Sequence, residues 1–227
     1  MLHLGLVDAE LELVPKRIAG HPQVVEAARR YGASPTKMLL DSSLHYAAMR
    51  DLEAGDRRGR PDLAHLFLLT ALESIPNKLG RLRVFVHTRH DELITIEPKT
   101  RLVRNYNRFC GLIQQLFERG AVGEPDPLLT LEKKRPLADV LASIAHERLL
   151  VLDPAGAAKT AGEIFSAADE DDDVVALIGG FPSGDYRSPI PTAAERVSIH
   201  PEALTVWTVA GEILAHYPRP GTTAQRK

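Results

Sequence analysis

Two short apolar runs constrain the fold of this 227-residue chain more than any other feature. Residues 148–152 read R-L-L-V-L and residues 174–178 read V-V-A-L-I, and a loop rich in glycine or proline follows each run. Uninterrupted apolar strands have both faces buried, as central strands of a parallel sheet do. Because predicted helices alternate with these and other predicted strands, the sequence predicts an α/β fold with a largely parallel sheet.

A parallel sheet also predicts where a ligand binds, because ligand sites in such sheets lie outside the carboxyl ends of the strands. Three loops qualify, namely residues 152–156, 179–185 and 198–204. The second reads G-G-F-P-S-G-D, which matches neither the dinucleotide fingerprint nor a P-loop. Its glycines would let the backbone approach a flat, polar ligand closely, and the alternative is a tight turn without a ligand.

Residues 100–109 read T-R-L-V-R-N-Y-N-R-F, with Arg101, Arg104 and Arg108 at spacings of three and four. If this stretch is helical, the spacing predicts that all three guanidinium groups lie on one face. Planar, permanently charged groups in such a row suit phosphate oxygens. The alternative is a solvated arginine face with no ligand.

A second polar pair precedes an apolar helix. Residues 58–62 read R-G-R-P-D, and Pro61 suits the first turn of a helix that continues to Leu72 and is apolar almost all round. Arg60 and Asp62 would then lie at the start of a buried helix, where backbone amides favour anions. The alternative role of this pair is a structural salt bridge at the helix end.

Composition excludes several other functions. The formal net charge of −2 gives no protein-wide basic field, although basic residues cluster locally. No apolar run is long enough for a membrane span, and the N-terminus does not resemble a secretory signal. Cys110 is the only cysteine, which fits a reducing compartment and a structural thiol. The nine histidines are scattered, so no metal site is expected.

The periodicity further predicts individual elements. Three of the predictions concern loops or caps. Ser42 and Ser43 would cap a helix, residues 51–59 would form an exposed loop, and Gly32 would end the first helix. The predicted strands are residues 3–14, 36–41, 82–88, 93–97, 148–152, 174–178 and 197–199, and the predicted helices are residues 22–31, 44–52, 61–72, 137–145, 160–168 and 204–217.

Five segments together resemble one family. They are L-L-D-S-S-L-H-Y-A-A-M at 39–49, R-G-R-P-D-L-A-H at 58–65, V-H-T at 86–88, T-R-L-V-R-N-Y-N-R-F-C-G-L at 100–112 and L-I-G-G-F-P-S-G-D at 177–185. The sequence resembles the pseudouridine-N1 methyltransferases of small-subunit ribosomal RNA, which belong to the SPOUT class and act in ribosome biogenesis. The similarity runs from about residue 3 to residue 217 and favours an archaeal-like form.

The resemblance implies a single SPOUT domain over residues 1–217, with an inserted β-hairpin and a C-terminal trefoil knot, followed by a polar tail over residues 218–227. It also implies a cytoplasmic homodimer that binds S-adenosylmethionine and small-subunit rRNA, with no metal, membrane or DNA. The implied cofactor-binding residues are Leu152, Asp153, Gly156, Gly179, Gly180, Gly184, Val197, Ser198, Ile199, His200 and Leu204.

The resemblance also assigns roles to the arginines. Arg60, Arg101, Arg104 and Arg108 match RNA-contacting residues, and Asp62 matches the acid that orients Arg60. Arg60 and Asp62 are therefore the predicted catalytic pair, in which cationic Arg60 stabilises the anion that forms on the target base. Two other functions stay open: a non-catalytic RNA-binding assembly factor, and a methyltransferase of the same class that acts on another RNA.

Overall fold

The computed structural model describes residues 1–123, 125–166 and 172–218. Within them, eight strands form one sheet with the order β4-β5-β3-β2-β1-β7-β6-β8. The strands are β1 (Leu2–Ala9), β2 (Leu82–Thr88), β3 (Glu92–Ile96), β4 (Ala121–Val122), β5 (Leu129–Lys133), β6 (Arg148–Ala158), β7 (Val174–Gly179) and β8 (Glu195–Ser198).

Strands β2, β1, β7, β6 and β8 are parallel to one another, whereas β3, β5 and β4 extend the sheet beyond β2 in antiparallel pairs. The predicted α/β fold with a mainly parallel sheet is confirmed. The predicted hairpin is confirmed as well, because β2 and β3 pair antiparallel across a short turn. Strand order does not distinguish a knotted from an unknotted path, so the trefoil knot stays a prediction.

Helices cover both faces of the sheet. They are α1 (Pro22–Tyr31), α2 (Ser42–Met49), α3 (Pro61–Leu72), α4 (Ile75–Lys78), α5 (Tyr106–Arg119), α6 (Leu137–Ala142), α7 (Ala161–Phe165) and α8 (Val206–His216). Helices α3, α5, α7 and α8 contribute to the main core on one face, and α6 packs on the other. This division follows from strand alternation, since Leu4 and Leu6 of β1 face the first cluster and Val7 faces the second.

Several predicted elements are confirmed, some with shorter bounds. Helix α1 has the predicted bounds, and Gly32 ends it at a φ of 60°, a left-handed conformation that glycine adopts without strain. Helix α3 also has the predicted bounds and is largely buried. Helices α6, α7 and α8 lie inside the predicted segments, and residues 167–168 of the second segment lie outside the described residues.

The predictions for residues 3–14 and 36–41 are partly wrong. Strand β1 ends at Ala9, because Asp8 has a φ of 52° and shifts the strand register. Residues 36–41 form no strand beyond an isolated bridge between Leu13 and Leu39. Helix α2 begins at Ser42 and is capped by Asp41, whose carboxylate accepts from the Ser43 amide at 2.8 Å, so the predicted serine caps are wrong.

The predicted exposed loop at residues 51–59 contains two buried arginines. Arg57 is 9 % exposed and Arg58 is 8 % exposed, because each is paired with a buried glutamate that follows β1. Arg57 Nε lies 2.6 Å from Glu10 Oε1, and Arg58 donates two hydrogen bonds, of 2.8 Å and 2.7 Å, to Glu12. The alternating pattern of residues 3–14, from which a strand was predicted, gave no indication of this pairing.

Two residues of the β2–β3 turn complete this ion cluster. Arg89 Nη1 lies 2.5 Å from Glu10 Oε2, and His90 Nε2 lies 3.0 Å from Glu12 Oε2. The Glu10–Glu12 ion cluster therefore consists of two carboxylates and the basic side chains of Arg57, Arg58, Arg89 and His90. It joins three chain segments that are distant in sequence.

The ion cluster sets the pKa of Glu12. Burial by itself raises the pKa of this carboxyl group, but the hydrogen bonds from His90 and Arg58 lower it to about 2, against an ordinary value of 4.5. A carboxylate with a lowered pKa stabilises the folded state above its ordinary pKa. That stabilisation is lost as the pH falls from about 4.5 towards 2.

We expect Glu12→Gln to lower the free energy of unfolding at pH 7 and to flatten its decline in acid. The lowered pKa of Glu12 corresponds to about 3 kcal/mol of stabilisation at neutral pH. Urea denaturation at pH 7 and at steps down to pH 3 measures this, and the difference from wild type should shrink as the pH falls. Glu26→Gln is the control, because Glu26 pairs with Arg29 in full exposure. A difference that stays constant with pH would contradict the assignment.

Candidate functional site

A cavity of about 440 Å³ lies at the carboxyl ends of the parallel strands β6, β7 and β8. This volume lies within the usual range of small-molecule sites. Most of the lining comes from three regions: residues 152–154 of β6, residues 178–179 and 181–186 at and after the end of β7, and residues 196–200 and 202–204 at and after the end of β8. These are the regions in which the sequence predicted a ligand site.

The cavity brings together most of the predicted cofactor-binding residues. Nine of the eleven line it: Leu152, Asp153, Gly179, Gly184, Val197, Ser198, Ile199, His200 and Leu204. Gly156 and Gly180 do not line it. The predicted catalytic residues Arg60 and Asp62 do not line it either.

Gly156 and Gly180 instead permit close backbone packing around the cavity. A Cβ atom on Gly180 would lie 2.6 Å from the Cα of Ala9, and a Cβ atom on Gly156 would lie 2.6 Å from the amide nitrogen of Val197. Neither backbone contact has room for a side chain. Each of these two glycines therefore allows neighbouring backbone segments to pack closely beside the cavity.

The first cavity loop is a bulge inside β6. Leu152 and Ala157 both pair with Val197 of β8, so residues 153–156 project from the strand between them. Asp153 stabilises the bulge, because its carboxylate accepts a hydrogen bond of 2.9 Å from the Ala155 amide. The loop predicted at 152–156 is present in this form, although β6 continues beyond it to Ala158.

The cavity also contains residues that the sequence analysis did not single out. They are Pro154, Ile178, Phe181, Pro182, Ser183, Asp185, Tyr186, Arg196, Glu202, Ala203, Val206 and Val209. Seven of them lie inside the three loops that the sequence predicted as ligand sites, although they were not among the eleven named residues. The other five lie close to those loops or on α8.

The cavity wall contains both polar and apolar groups. Aliphatic side chains such as Ile178 and Leu204 supply apolar surface, and Arg196 pairs with Asp153 at 2.6 Å at one side. Burial raises the pKa of the Tyr186 phenol, which stays neutral and donates to the Leu152 carbonyl at 3.1 Å. Such a wall suits a ligand with a flat apolar part and a charged or polar edge.

Arg60 and Asp62 form a bidentate ion pair at the start of α3. The two hydrogen bonds measure 2.8 Å and 2.7 Å, and the hydrogen bond with Asp62 is the main reason that the pKa of Arg60 is raised. The Arg60 amide donates to the Glu10 carbonyl at 2.9 Å, and the Glu10 amide donates to the Gly180 carbonyl at 3.0 Å. Two backbone hydrogen bonds therefore connect Arg60 to the cavity loop.

The prediction that Arg101, Arg104 and Arg108 share one helix face is wrong. Helix α5 begins at Tyr106, because the Asn105 side chain caps it by accepting from the Arg108 amide at 3.1 Å. Arg101 and Arg104 precede the helix in non-helical backbone. All three side chains are nevertheless exposed, and none forms an ion pair with a residue that the structure describes.

The arginine segment is fixed to the rest of the fold by two polar contacts. The Tyr106 hydroxyl donates to Asp41 Oδ2 at 2.6 Å, and His65 Nε2 lies 2.8 Å from the Val103 carbonyl. Asp41 precedes α2 and His65 lies on α3, so both helices position the segment. Cys110, next to Tyr106 on α5, is half-buried, and burial raises its pKa to about 11, which keeps the thiol protonated.

The residues that the structure describes contain neither a metal-binding cluster nor a membrane-spanning helix. No group of three or more histidine, cysteine, aspartate or glutamate side chains in the described ranges is arranged to hold a metal ion. No described helix is long and apolar enough to cross a bilayer.

Together, these features define an α/β protein with a cavity of small-molecule size at the carboxyl edge of its parallel sheet and an exposed arginine segment. Residues 5–218 match the family model described as EMG1/NEP1 methyltransferase. The chain therefore belongs to the EMG1/NEP1 methyltransferase family, and the resemblance inferred from the five segments is confirmed.

Individual relatives agree with this membership. The chain is 46% identical over 218 residues to the ribosomal RNA small subunit methyltransferase Nep1 of Methanothrix thermoacetophila, covering 96% of this chain and 95% of the relative. It is 47% identical over 220 residues to the Nep1 of Thermococcus kodakarensis, covering 96% and 97%. The crystal structure of Archaeoglobus fulgidus Nep1 bound to S-adenosylhomocysteine matches with a TM-score of 0.83 at 35% identity, covering 95% and 96%.

Proposed function

We propose that this protein transfers a methyl group from S-adenosylmethionine to N1 of a pseudouridine in small-subunit rRNA during ribosome biogenesis. The observation that carries the proposal is the cavity at the carboxyl ends of β6, β7 and β8, which gathers nine residues predicted for the cofactor. It is supported by the 35% identity to a Nep1 whose structure contains S-adenosylhomocysteine. The pseudouridine N1 target follows from the family resemblance in the sequence.

The described residues of the cavity fit this cofactor. Aliphatic side chains that are partly exposed, including Ile199 and Leu204, offer surface to a flat base. The Asp153–Arg196 pair and the backbone beside Gly179 and Gly184 offer polar groups to the rest of the molecule. When bound, S-adenosylmethionine supplies an activated methyl group, so the main task of the protein is to align the target nitrogen with it.

Arg60 is the residue that we assign to the reacting base. Loss of a proton from N1 places negative charge on the carbonyl oxygens of the base, and a cationic guanidinium stabilises that charge. Asp62 accepts two hydrogen bonds from Arg60 and so fixes its direction. The salt bridge considered as a structural alternative is therefore part of the proposed mechanism.

Arg101, Arg104 and Arg108 are assigned to the RNA backbone. Their exposure and their lack of ion-pair partners among the described residues leave the guanidinium groups available to phosphate oxygens. They lie on the segment around Tyr106, which contacts Asp41 at the start of α2 and His65 of α3. The first turn of α3 carries Asp62. The target base lies in a loop or is flipped out of its stack, since a paired base is inaccessible.

We also propose that the protein acts as a homodimer in the cytoplasm and without a metal, a membrane or DNA, as the family resemblance implies. Light scattering of the purified protein should give a mass of about twice the chain mass of 24.9 kDa. A single species at the chain mass, unchanged over a hundredfold dilution series, would contradict the dimer.

The proposed cofactor site predicts saturable binding of S-adenosylhomocysteine, the product form of the cofactor, by the wild-type protein. Leu204→Trp should abolish this binding, because the larger ring fills the cavity that Leu204 lines. Calorimetric titration measures both. Leu79→Trp is the matched control, since Leu79 is exposed and lies outside the cavity, and it should bind as the wild type does.

Absence of binding to the wild type would sink the cofactor proposal. A non-catalytic RNA-binding assembly factor would then be the better account of the chain. Binding that survives in Leu204→Trp would instead place the cofactor outside this cavity.

The proposed division between Arg60 and the other arginines is testable with two variants. Arg60→Ala should lower the methylation rate at saturating RNA by about 100-fold or more, because it removes charge stabilisation at the base. Arg104→Ala should weaken RNA binding and reduce the slope of log K against log salt by about 0.7, the value for one lost contact with single-stranded RNA. Both should bind S-adenosylhomocysteine normally. An unchanged salt slope would remove Arg104 from the RNA interface.

A further inference from the structure

One wall of the cavity is supported from outside by a buried arginine that the proposed function does not use. Residues 181–186 form this wall, and they follow β7 without regular secondary structure. Arg57 lies behind them, 9 % exposed, and does not itself line the cavity. It approaches the wall from the segment between α2 and α3.

Arg57 contacts the wall at two points and lies close to a third residue, Gly184. Its guanidinium carbon lies 3.9 Å from the centre of the Phe181 ring, which is close contact for a cation over an aromatic face. Its Nη1 donates to the Asp185 carbonyl at 2.7 Å. A Cβ atom on Gly184 would lie 3.3 Å from the same nitrogen, so Arg57 also limits the space at Gly184.

The guanidinium group is held in place from its other side. Arg57 Nε donates to Glu10 Oε1 at 2.6 Å, and Arg89 occupies the second oxygen of the same carboxylate. Glu10 is fully buried, and its amide donates to the Gly180 carbonyl at the start of the wall. Because the Arg57 guanidinium is planar and its donors have fixed directions, the position of Glu10 determines where Arg57 holds the Asp185 carbonyl.

We propose that Arg57 is a positioning residue for the cofactor. Arg57 sets the distance between the 181–186 wall and the ends of the strands. The inference rests on the proposed function, because it assigns S-adenosylmethionine to this cavity. It extends that function by one residue that neither touches the cofactor nor belongs to the arginine segment. Without Arg57, the Phe181 ring and the Asp185 carbonyl lose the group that fixes them.

Arg58 separates this role from a purely structural one. It is buried to the same degree as Arg57 and pairs with Glu12 as Arg57 pairs with Glu10. It has no hydrogen bond or ring contact with residues 181–186 among the described residues, and its remaining bond goes to the Glu53 carbonyl at 3.5 Å. Loss of either arginine leaves a buried carboxylate short of a partner, which destabilises the fold. Only the loss of Arg57 should alter the cavity wall.

The experiment compares Arg57→Gln with Arg58→Gln by calorimetric titration with S-adenosylhomocysteine and by thermal melting. Both variants should melt below the wild type. Arg57→Gln should weaken S-adenosylhomocysteine binding by about tenfold or more, and Arg58→Gln by less than about threefold. In methylation assays, Arg57→Gln should raise KM for S-adenosylmethionine and leave kcat within about threefold of wild type.

Arg57→Lys is the second variant, in case Arg57→Gln fails to fold. Lysine keeps a cation beside Glu10 but cannot donate in two fixed directions to Glu10 and Asp185. We expect it to melt closer to the wild type and still to bind S-adenosylhomocysteine about tenfold more weakly.

Two results would overturn the inference while leaving the proposed function intact: wild-type affinity in Arg57→Lys, or equal loss of affinity in Arg57→Gln and Arg58→Gln. If the wild type itself binds no S-adenosylhomocysteine, the proposed function fails and the inference fails with it.

Discussion

Two buried carboxylates directly after β1 determine how several distant segments of the chain pack together. Glu10 and Glu12 are removed from water, and buried charges are tolerated only when they are paired and hydrogen-bonded. Their partners come from the segment before α3 and from the β2–β3 turn. Meeting this requirement brings the start of α3, and with it Arg60, next to the loop that lines the cavity. Arg60, which we assign to the reacting base, is therefore connected to the loop beside the proposed cofactor cavity through the backbone of Glu10.

The buried carboxylate of Asp8 contacts the chain directly after the 181–186 wall. Asp8 Oδ2 accepts from the amides of Arg187 and Ser188 at 2.6 Å and 3.0 Å, and Oδ1 accepts from the Ser188 hydroxyl at 2.6 Å. Its left-handed backbone conformation, unusual for a residue other than glycine, interrupts β1 and belongs to the register shift in this strand. Arg57 contacts Phe181 and Asp185 within the wall, and Asp8 binds the two residues directly after it, so a segment without regular secondary structure is fixed by buried charged groups.

The sequence predicts those parts of the fold that depend on local periodicity and not those that depend on distant pairing. Strands β6 and β7 and helices α1 and α3 were predictable because apolar runs, proline and glycine specify them locally. The burial of Arg57 was not, because a charged segment with two glycines has the composition of an exposed loop until Glu10 is placed beside it. The arginine spacing did not predict the start of α5, because that spacing fits a helix equally well before and after the Asn105 cap. In the cavity, strand ends and glycines indicated the location, but spacing could not distinguish a glycine that faces a ligand from Gly156 or Gly180, which face backbone.

The bulge in β6 has a consequence for how this cavity can change. Leu152 and Ala157 pair with the same residue of β8, so the strand keeps its alignment whatever the intervening residues do. Asp153 and Pro154 thus form a rim on the sheet. Substitution of the exposed Pro154 alters access to the cavity at little thermodynamic cost. Loss of Asp153 would remove the hydrogen bond to Ala155 and the ion pair with Arg196, and a side chain at Gly156 would push apart two strands. The rim is a place where ligand selectivity can diverge among related sequences while the scaffold stays the same.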